Sequence, residues 1–273
     1  MFDFLQYEMI QNGLFITLII GFSAALLSPF LVLNEQALIA DGLAHVSFTG
    51  LALGIILVDE PLLISMPFAA ILAVLVKYLS QNKNINGDAS LGIISTVSLA
   101  VGLIIIHKSS GFNRSIEGML VGDIWTVTKT EILIAVMVFL IIVTFIVSFY
   151  KKLLLMTYDF KYAKFSGIKT SLLSYTLAVI TAIIITIGVK TIGTLLITAF
   201  VIFPVLIGSR FKKGFKMTLV IGSLFSIIAV FWGIVLANEL DIPAGSNIVI
   251  IYAIILLVLI VLQKFIKGGG YRD

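Results

Sequence analysis

The chain has no cysteine, two histidines, two tryptophans and five prolines in 273 residues, and only 12% of it is charged. The missing cysteine removes disulfides, thiolate-held metals and iron–sulfur clusters, so any metal here is held by oxygen or imidazole nitrogen. With two histidines, and no Ser/His/Asp set or carboxylate pair at catalytic spacing, a hydrolase has little support. Soluble domains are about 25% charged and about 45–50% apolar. This chain is 60% hydrophobic with a mean hydropathy of +1.19, which excludes an ordinary soluble domain.

What is present is a series of long apolar runs. A helical crossing needs roughly 20 such residues, and nine runs qualify, near 14–33, 37–57, 62–79, 90–107, 131–150, 171–189, 192–208, 217–237 and 247–263. Lipid offers the backbone no hydrogen-bond partners, so each run closes its own bonds as a helix. The expectation is an all-α, polytopic transmembrane bundle forming one domain over residues 1–273. The start, "MFDFLQYEM", lacks a basic region and a cleavage site, and reads as part of a retained helix rather than a secretory signal.

The connections orient the bundle. Lys77 and Lys83, Lys151 to Lys169, Arg210 to Lys216, and Lys264 to Arg272 all fall on one side, which the positive-inside rule assigns to the cytoplasm. Asp3, Glu8, Asp59, Glu60, Glu117, Asp123, Glu239 and Asp241 fall on the other. An odd number of spans then puts the N-terminus outside and the C-terminus in the cytoplasm. The net charge of +4 is spread over loops facing a lipid bilayer and implies no nucleic acid.

Two connections are long. Residues 108–130 form a glycine-containing outer segment that is a candidate to dip back into the protein. The cytoplasmic segment of about 156–170, "MTYDFKYAKFSGIKT", reads as a short helix outside the bilayer, with Asp159 as N-cap and Gly167 as C-cap. Composition favours a helix resting on headgroups; a docking surface for a cytoplasmic partner is the sharper reading.

The most informative stretch is "ALIADGLAHVSFTGLALG", residues 37–54. A spacing of four places Asp41 and His45 about 40° apart on one helical face, and Thr49 is expected to extend that face. Gly50 and Gly54 form a small-xxx-small pair on the opposite side, suited to close helix packing. An Asp–His hydrogen bond satisfying two buried groups is the plain explanation. Within a membrane span an ionisable group costs at least about 2.5 kcal/mol, and an ion, proton or substrate path becomes the default. Carboxylate plus imidazole suits zinc, manganese or iron. Two ligands are too few for a complete site, which implies a second copy of the chain across a two-fold axis. A proton relay in a secondary metal carrier, and a purely structural helix contact, are the alternatives.

Other polar features carry less. "GLIIIHKS", Gly102 to Ser109, has His107 where a phosphate loop needs glycine, and it continues an apolar run. His107 reads as an interfacial residue, and Lys190 as a cation snorkelling from a two-residue break between the sixth and seventh runs.

"ADGLAHVSFTGLALG" resembles the second-span signature of the permeases of bacterial ABC importers for zinc and manganese, close to G-D-x-L-A-H-x-S-x-P-G-x-A-L-G. "VKTIGTLLITAFVIFPVLIGSRF", Val189 to Phe211, is similar to the family's V-G-x-L-L-x-x-A-L-L-x-x-P-A stretch, and "MTYDFKYAKFSGIK" to its cytoplasmic coupling segment. Ala40, Thr49 and Val205 depart from the pattern, where Gly, Pro and Ala are common. The resemblance implies a homodimeric permease subunit in a bacterial cell membrane, without an ATPase site or covalent cofactor of its own. Two cytoplasmic ATP-binding subunits would carry ATP, and an extracytoplasmic metal-binding protein would deliver Zn2+ or Mn2+. It also implies that Asp41 and His45 line the cation path, and that Asp159, Ala163 and Gly167 mark the segment coupling to the ATPase.

Overall fold

The computed structural model describes residues 6–34, 36–80, 87–108, 122 and 124–268, and every regular element among them is a helix. In chain order these are α1 (Glu8–Val32), α2 (Ile39–Leu57), α3 (Leu62–Ser80) and α4 (Gly87–Lys108), then α5 (Lys129–Tyr158) after a short 3-10 turn (Ile124–Thr126). The short α6 (Phe160–Phe165) precedes α7 (Thr170–Ile192), α8 (Thr194–Arg210), α9 (Phe215–Leu240) and α10 (Ala244–Gly268). Eight of these helices are long and apolar enough to cross a membrane.

The ninth expected span is shorter than that. α8 has 17 residues, about 25 Å at 1.5 Å per residue, against a hydrocarbon core of about 30 Å. Its start is fixed by Gly193, whose φ of +84° breaks the helical path out of α7. Lys190 lies within α7 rather than in a break. Gly122 leaves no room for a Cβ against Ile192 and Gly193, and Gly13 none against the Ile124 carbonyl. The end of the outer connection therefore occupies the space above α8. The remainder of that connection, residues 109–121 and 123, lies outside the described residues.

The helices pack by close backbone approach. Apolar burial alone does little to hold helices together in lipid, where the surrounding tails are equally apolar. A Cβ at Gly21 on α1 would stand 3.2 Å from Ser226 Oγ on α9 and 3.3 Å from the Phe200 ring on α8. The Ser28 hydroxyl of α1 donates to the Val201 carbonyl and accepts from Val205 N–H at 3.3 Å, occupying the rung beside Pro204 in α8. α1 and α7 form the centre, with Ile16, Ile20, Leu27, Ile185 and Ile187 fully buried. α10 keeps one face on α8 and α9 and leaves the rest exposed.

The ends of the bundle are chemically distinct. Phe215 at the start of α9 meets Phe30 of α1 and Tyr150 and Tyr158 of α5. Gln263 of α10 donates to the Arg210 carbonyl of α8 at 2.7 Å. Lys151 to Lys169 and Lys212 to Lys216 therefore gather at one end, and the Lys129–Glu8 ion pair, at 2.9 Å, marks the other, with Lys190 on Glu131 beside it.

Candidate cation site

α2 is enclosed by the rest of the chain on nearly every side. Between Ile39 and Ala52 every residue is buried except Asp41 and His45, and with exposed Leu38 they form one narrow open strip. Asp41 lies in the first turn of α2, where the free backbone N–H groups favour a carboxylate. Its Oδ2 is 4.0 Å from His45 Nε2, and their side chains are 59% and 27% exposed. His45 Nδ1 is buried and has no hydrogen-bond partner. The two side chains thus converge without satisfying each other, which leaves donor capacity at one point.

The strip begins well inside the bundle. Ser47 Oγ bonds Thr186 Oγ1 at 2.8 Å. Thr186 is sixteen residues into α7, whereas Ser47 is eight residues into α2, so α2 starts about 12 Å further in if the helices are equally steep. A compressed connection makes this possible. Asn34 N–H and Gln36 N–H both bond the Leu31 carbonyl, Ile39 N–H bonds Gln36 O, and Asn34 Nδ2 caps Phe30 O at 2.8 Å.

Thr49 does not extend the open face. It is buried, its hydroxyl donates to the Ser98 carbonyl of α4, and it approaches the His45 carbonyl at 3.3 Å. Its azimuth, 40° beyond His45, turns it under the neighbouring helix. Gly50 and Gly54 face α3, where added Cβ atoms would stand 3.0 Å from Ser65 Cα and 2.9 Å from Pro61 Cα.

Among the described residues no three His, Asp, Glu or Cys side chains come together to hold a metal. At this point the chain brings together one carboxylate and one imidazole. His107 is exposed in the last turn of α4, and residues 102–108 are helical, so no phosphate loop exists there.

One polar pair escaped the sequence reading. Lys190, expected to snorkel, instead bonds Glu131 of α5, with both side chains largely buried. Glu131 Oε2 also accepts from Thr128 N–H at 3.0 Å, and Thr128 Oγ1 accepts from Glu131 N–H at 3.2 Å, a capping box that starts α5. The T-x-x-E spacing was a legible signal for the cap; nothing local to residue 131 pointed to residue 190.

At the basic end, Asp159 terminates α5 and caps α6, its carboxylate accepting from Tyr162 N–H at 2.8 Å. Gly167, with φ +78°, completes a Schellman ending in which its N–H bonds Lys164 O and Ile168 N–H bonds Ala163 O. Ala163 alone of α6 is buried. Phe160, Tyr162 and Phe165 are exposed, Phe165 to 91%. Exposed aromatic groups of this density mark an interaction surface.

The fold and these sites define a multi-pass, all-helical membrane protein with an inset Asp–His pair and a capped external helix. Residues 6–263 match the ABC 3 transport family, and the chain belongs to it. A probable metal transport system membrane protein of Thermotoga maritima is 30% identical, aligned over 91% of this chain and 88% of its own length. The high-affinity zinc uptake system membrane protein ZnuB of Buchnera aphidicola is 28% identical over 90% and 94%. Among solved structures, PsaBC from Streptococcus pneumoniae in complex with Fab superposes with a TM-score of 0.83 at 27% identity, covering 93% of this chain and 92% of that one.

Proposed function

We propose that this chain is the membrane subunit of an ATP-driven importer of divalent transition-metal ions, zinc or manganese, with Asp41 and His45 as its ion ligands. The observation that carries the reading is the open strip of α2, where a carboxylate and an imidazole with a buried, unpartnered Nδ1 meet inside a bundle of membrane-length helices. Membership of an ABC transport family supports it, as do relatives named for metal and zinc transport.

Two copies of the chain facing each other supply two carboxylates and two imidazoles, enough to replace the water shell of a zinc-sized ion. Each ligand pair is half open, which suits a cargo that must leave again. The basic end faces the cytoplasm, so the N-terminus is outside and the C-terminus inside. α6, held by one buried alanine and displaying three aromatic side chains, docks one of two separate ATP-binding subunits. Closure of those subunits moves α6, and the 30-residue α5, capped at both ends, transmits the motion as a rigid rod. ATP chemistry resides in those partners, and an external metal-binding protein delivers the ion.

The test is uptake of zinc and manganese, side by side, in vesicles carrying the chain with its ATP-binding and metal-binding partners. Wild type is expected to accumulate one or both only with ATP. Asp41→Asn and His45→Ala are expected to lose uptake while remaining assembled, and Asp159→Ala to lower it. Full uptake by both ligand variants would remove the pair from the ion path. Uptake that follows a proton gradient instead of ATP would make the pair a relay in a secondary carrier.

A further inference from the structure

The face of α2 that carries Asp41 and His45 continues toward the acidic end through Phe48 and Ala52, which lie within about 40° of it. There the face is closed. Phe48 and Ala52 are fully buried and form, with Ile106 of α4 and the partly buried Leu99 and Ile105, an apolar cluster separate from the main core. The closure is tight. A Cβ at Gly102 of α4 would stand 3.0 Å from the Phe48 ring and 2.8 Å from Thr49 Oγ1, and the Thr49 hydroxyl latches onto the Ser98 carbonyl.

α4 is also the helix of α2's surroundings with the fewest other attachments. Among the described residues its substantial contacts are with α2 and α3, whereas α3 and α7 each pack extensively elsewhere. Val97, Val101 and Ile104 on its far side are exposed.

We propose that Phe48, Ala52, Leu99 and Ile106 form the outer seal of the ion path, and that α4 separating from α2 is the motion that opens it. The inference rests on the reading of Asp41 and His45 as ion ligands. A hydrated divalent ion has no polar partner along this stretch, and stripping its water there is prohibitive. The seal thus stops an ion held at Asp41 and His45 from returning outward while the opposite, exposed end of the strip stays open. Gly102 permits the backbone approach that makes the seal tight, and the Thr49–Ser98 hydrogen bond is a latch weak enough to break in each cycle.

The absence of native cysteine permits a direct test. The 2.8 Å approach at Gly102 puts positions 49 and 102 within disulfide reach. In vesicles holding the full transporter, the Thr49→Cys, Gly102→Cys double variant is expected to import metal when reduced, to stop when oxidised and to resume on reduction. Undiminished uptake by oxidised protein, with the 49–102 bridge demonstrated by peptide mapping, would overturn the proposal. Should the reduced double variant be inactive, Ala52→Cys alone decides. It is expected to resist a membrane-impermeant maleimide at rest and to react from outside in the presence of ATP and the partner subunits. No labelling in any nucleotide state would overturn the proposal. Wild-type vesicles that import no metal count against the transport reading, whereas the labelling of Ala52→Cys reads the motion of α4 directly.

Discussion

The Asp41–His45 and Glu131–Lys190 pairs of this bundle are built in opposite ways. Asp41 and His45 are one turn apart on a single helix, half open, 4.0 Å from each other, and His45 Nδ1 has no partner. Glu131 and Lys190 come from two helices, are largely buried and bond directly. Glu131 sits in the first turn of α5 and Lys190 in the last turn of α7, so both helix dipoles favour the charge they receive. The closed pair has spent its bonding capacity on the fold; the open pair has kept it. Side chains left unbonded to each other on an open strip, rather than charge in a membrane span as such, separate a pair free to bind from one that holds the fold.

That comparison can be broken by substitution. Lys190→Met is expected to have the largest effect on stability, about 3–5 kcal/mol, because it strands a buried carboxylate. It should appear as a lowered unfolding midpoint of the solubilised protein, and adding Glu131→Gln should restore much of the loss. An unchanged midpoint in the single variant would mean the pair is not the clasp described. Gly50→Leu comes next, at about 1–3 kcal/mol, since the new side chain meets the α3 backbone rather than a movable tip.

The open pair is expected to respond in the other currency. Asp41→Asn should shift the unfolding midpoint little, within about 0.5 kcal/mol, and His45→Ala, which truncates a mostly buried ring, by about 1 kcal/mol. Each should weaken metal binding by at least about 1.4 kcal/mol, a tenfold loss, read by uptake or by metal titration of the purified protein. A large stability loss with binding retained would reverse the assignment of the two pairs. Asp159→Ala removes the cap of α6 and is expected to cost about 1 kcal/mol, confined to that segment and visible as faster amide exchange at Tyr162. Phe165→Ala is expected to change stability as little as Asp41→Asn, within about 0.5 kcal/mol, because Phe165 is exposed. Its readout is reduced ATP-dependent uptake, and full coupling would remove the aromatic face of α6 from the docking surface.

Much of the architecture was legible because membrane helices are set by local composition. Apolar runs located every long helix, and the caps at Asp159 and Gly167 were readable because capping is chemistry over three or four residues. The i,i+4 spacing found Asp41 and His45 for the same reason. α8 has the 17-residue length of its apolar run but starts two residues later, at Thr194, because the chain breaks at Gly193, whose positive φ the apolar run does not show. Thr49 was assigned to the wrong surface because the helical wheel does not show that α4 covers that azimuth.

By itself, then, the sequence determined which stretches are helices, and it placed a carboxylate and an imidazole on one face of α2. These depend on backbone satisfaction in lipid and helical periodicity, both of which act within a few residues. Only the tertiary structure decided that Asp41 and His45 are the open part of an otherwise buried helix, that Phe48 and Ala52 above them are sealed by α4, and that Lys190 belongs to Glu131. Those outcomes depend on which helix lies beside which. In lipid that choice is made by close contacts at glycines such as Gly21, Gly50 and Gly102 and by hydrogen bonds between distant segments.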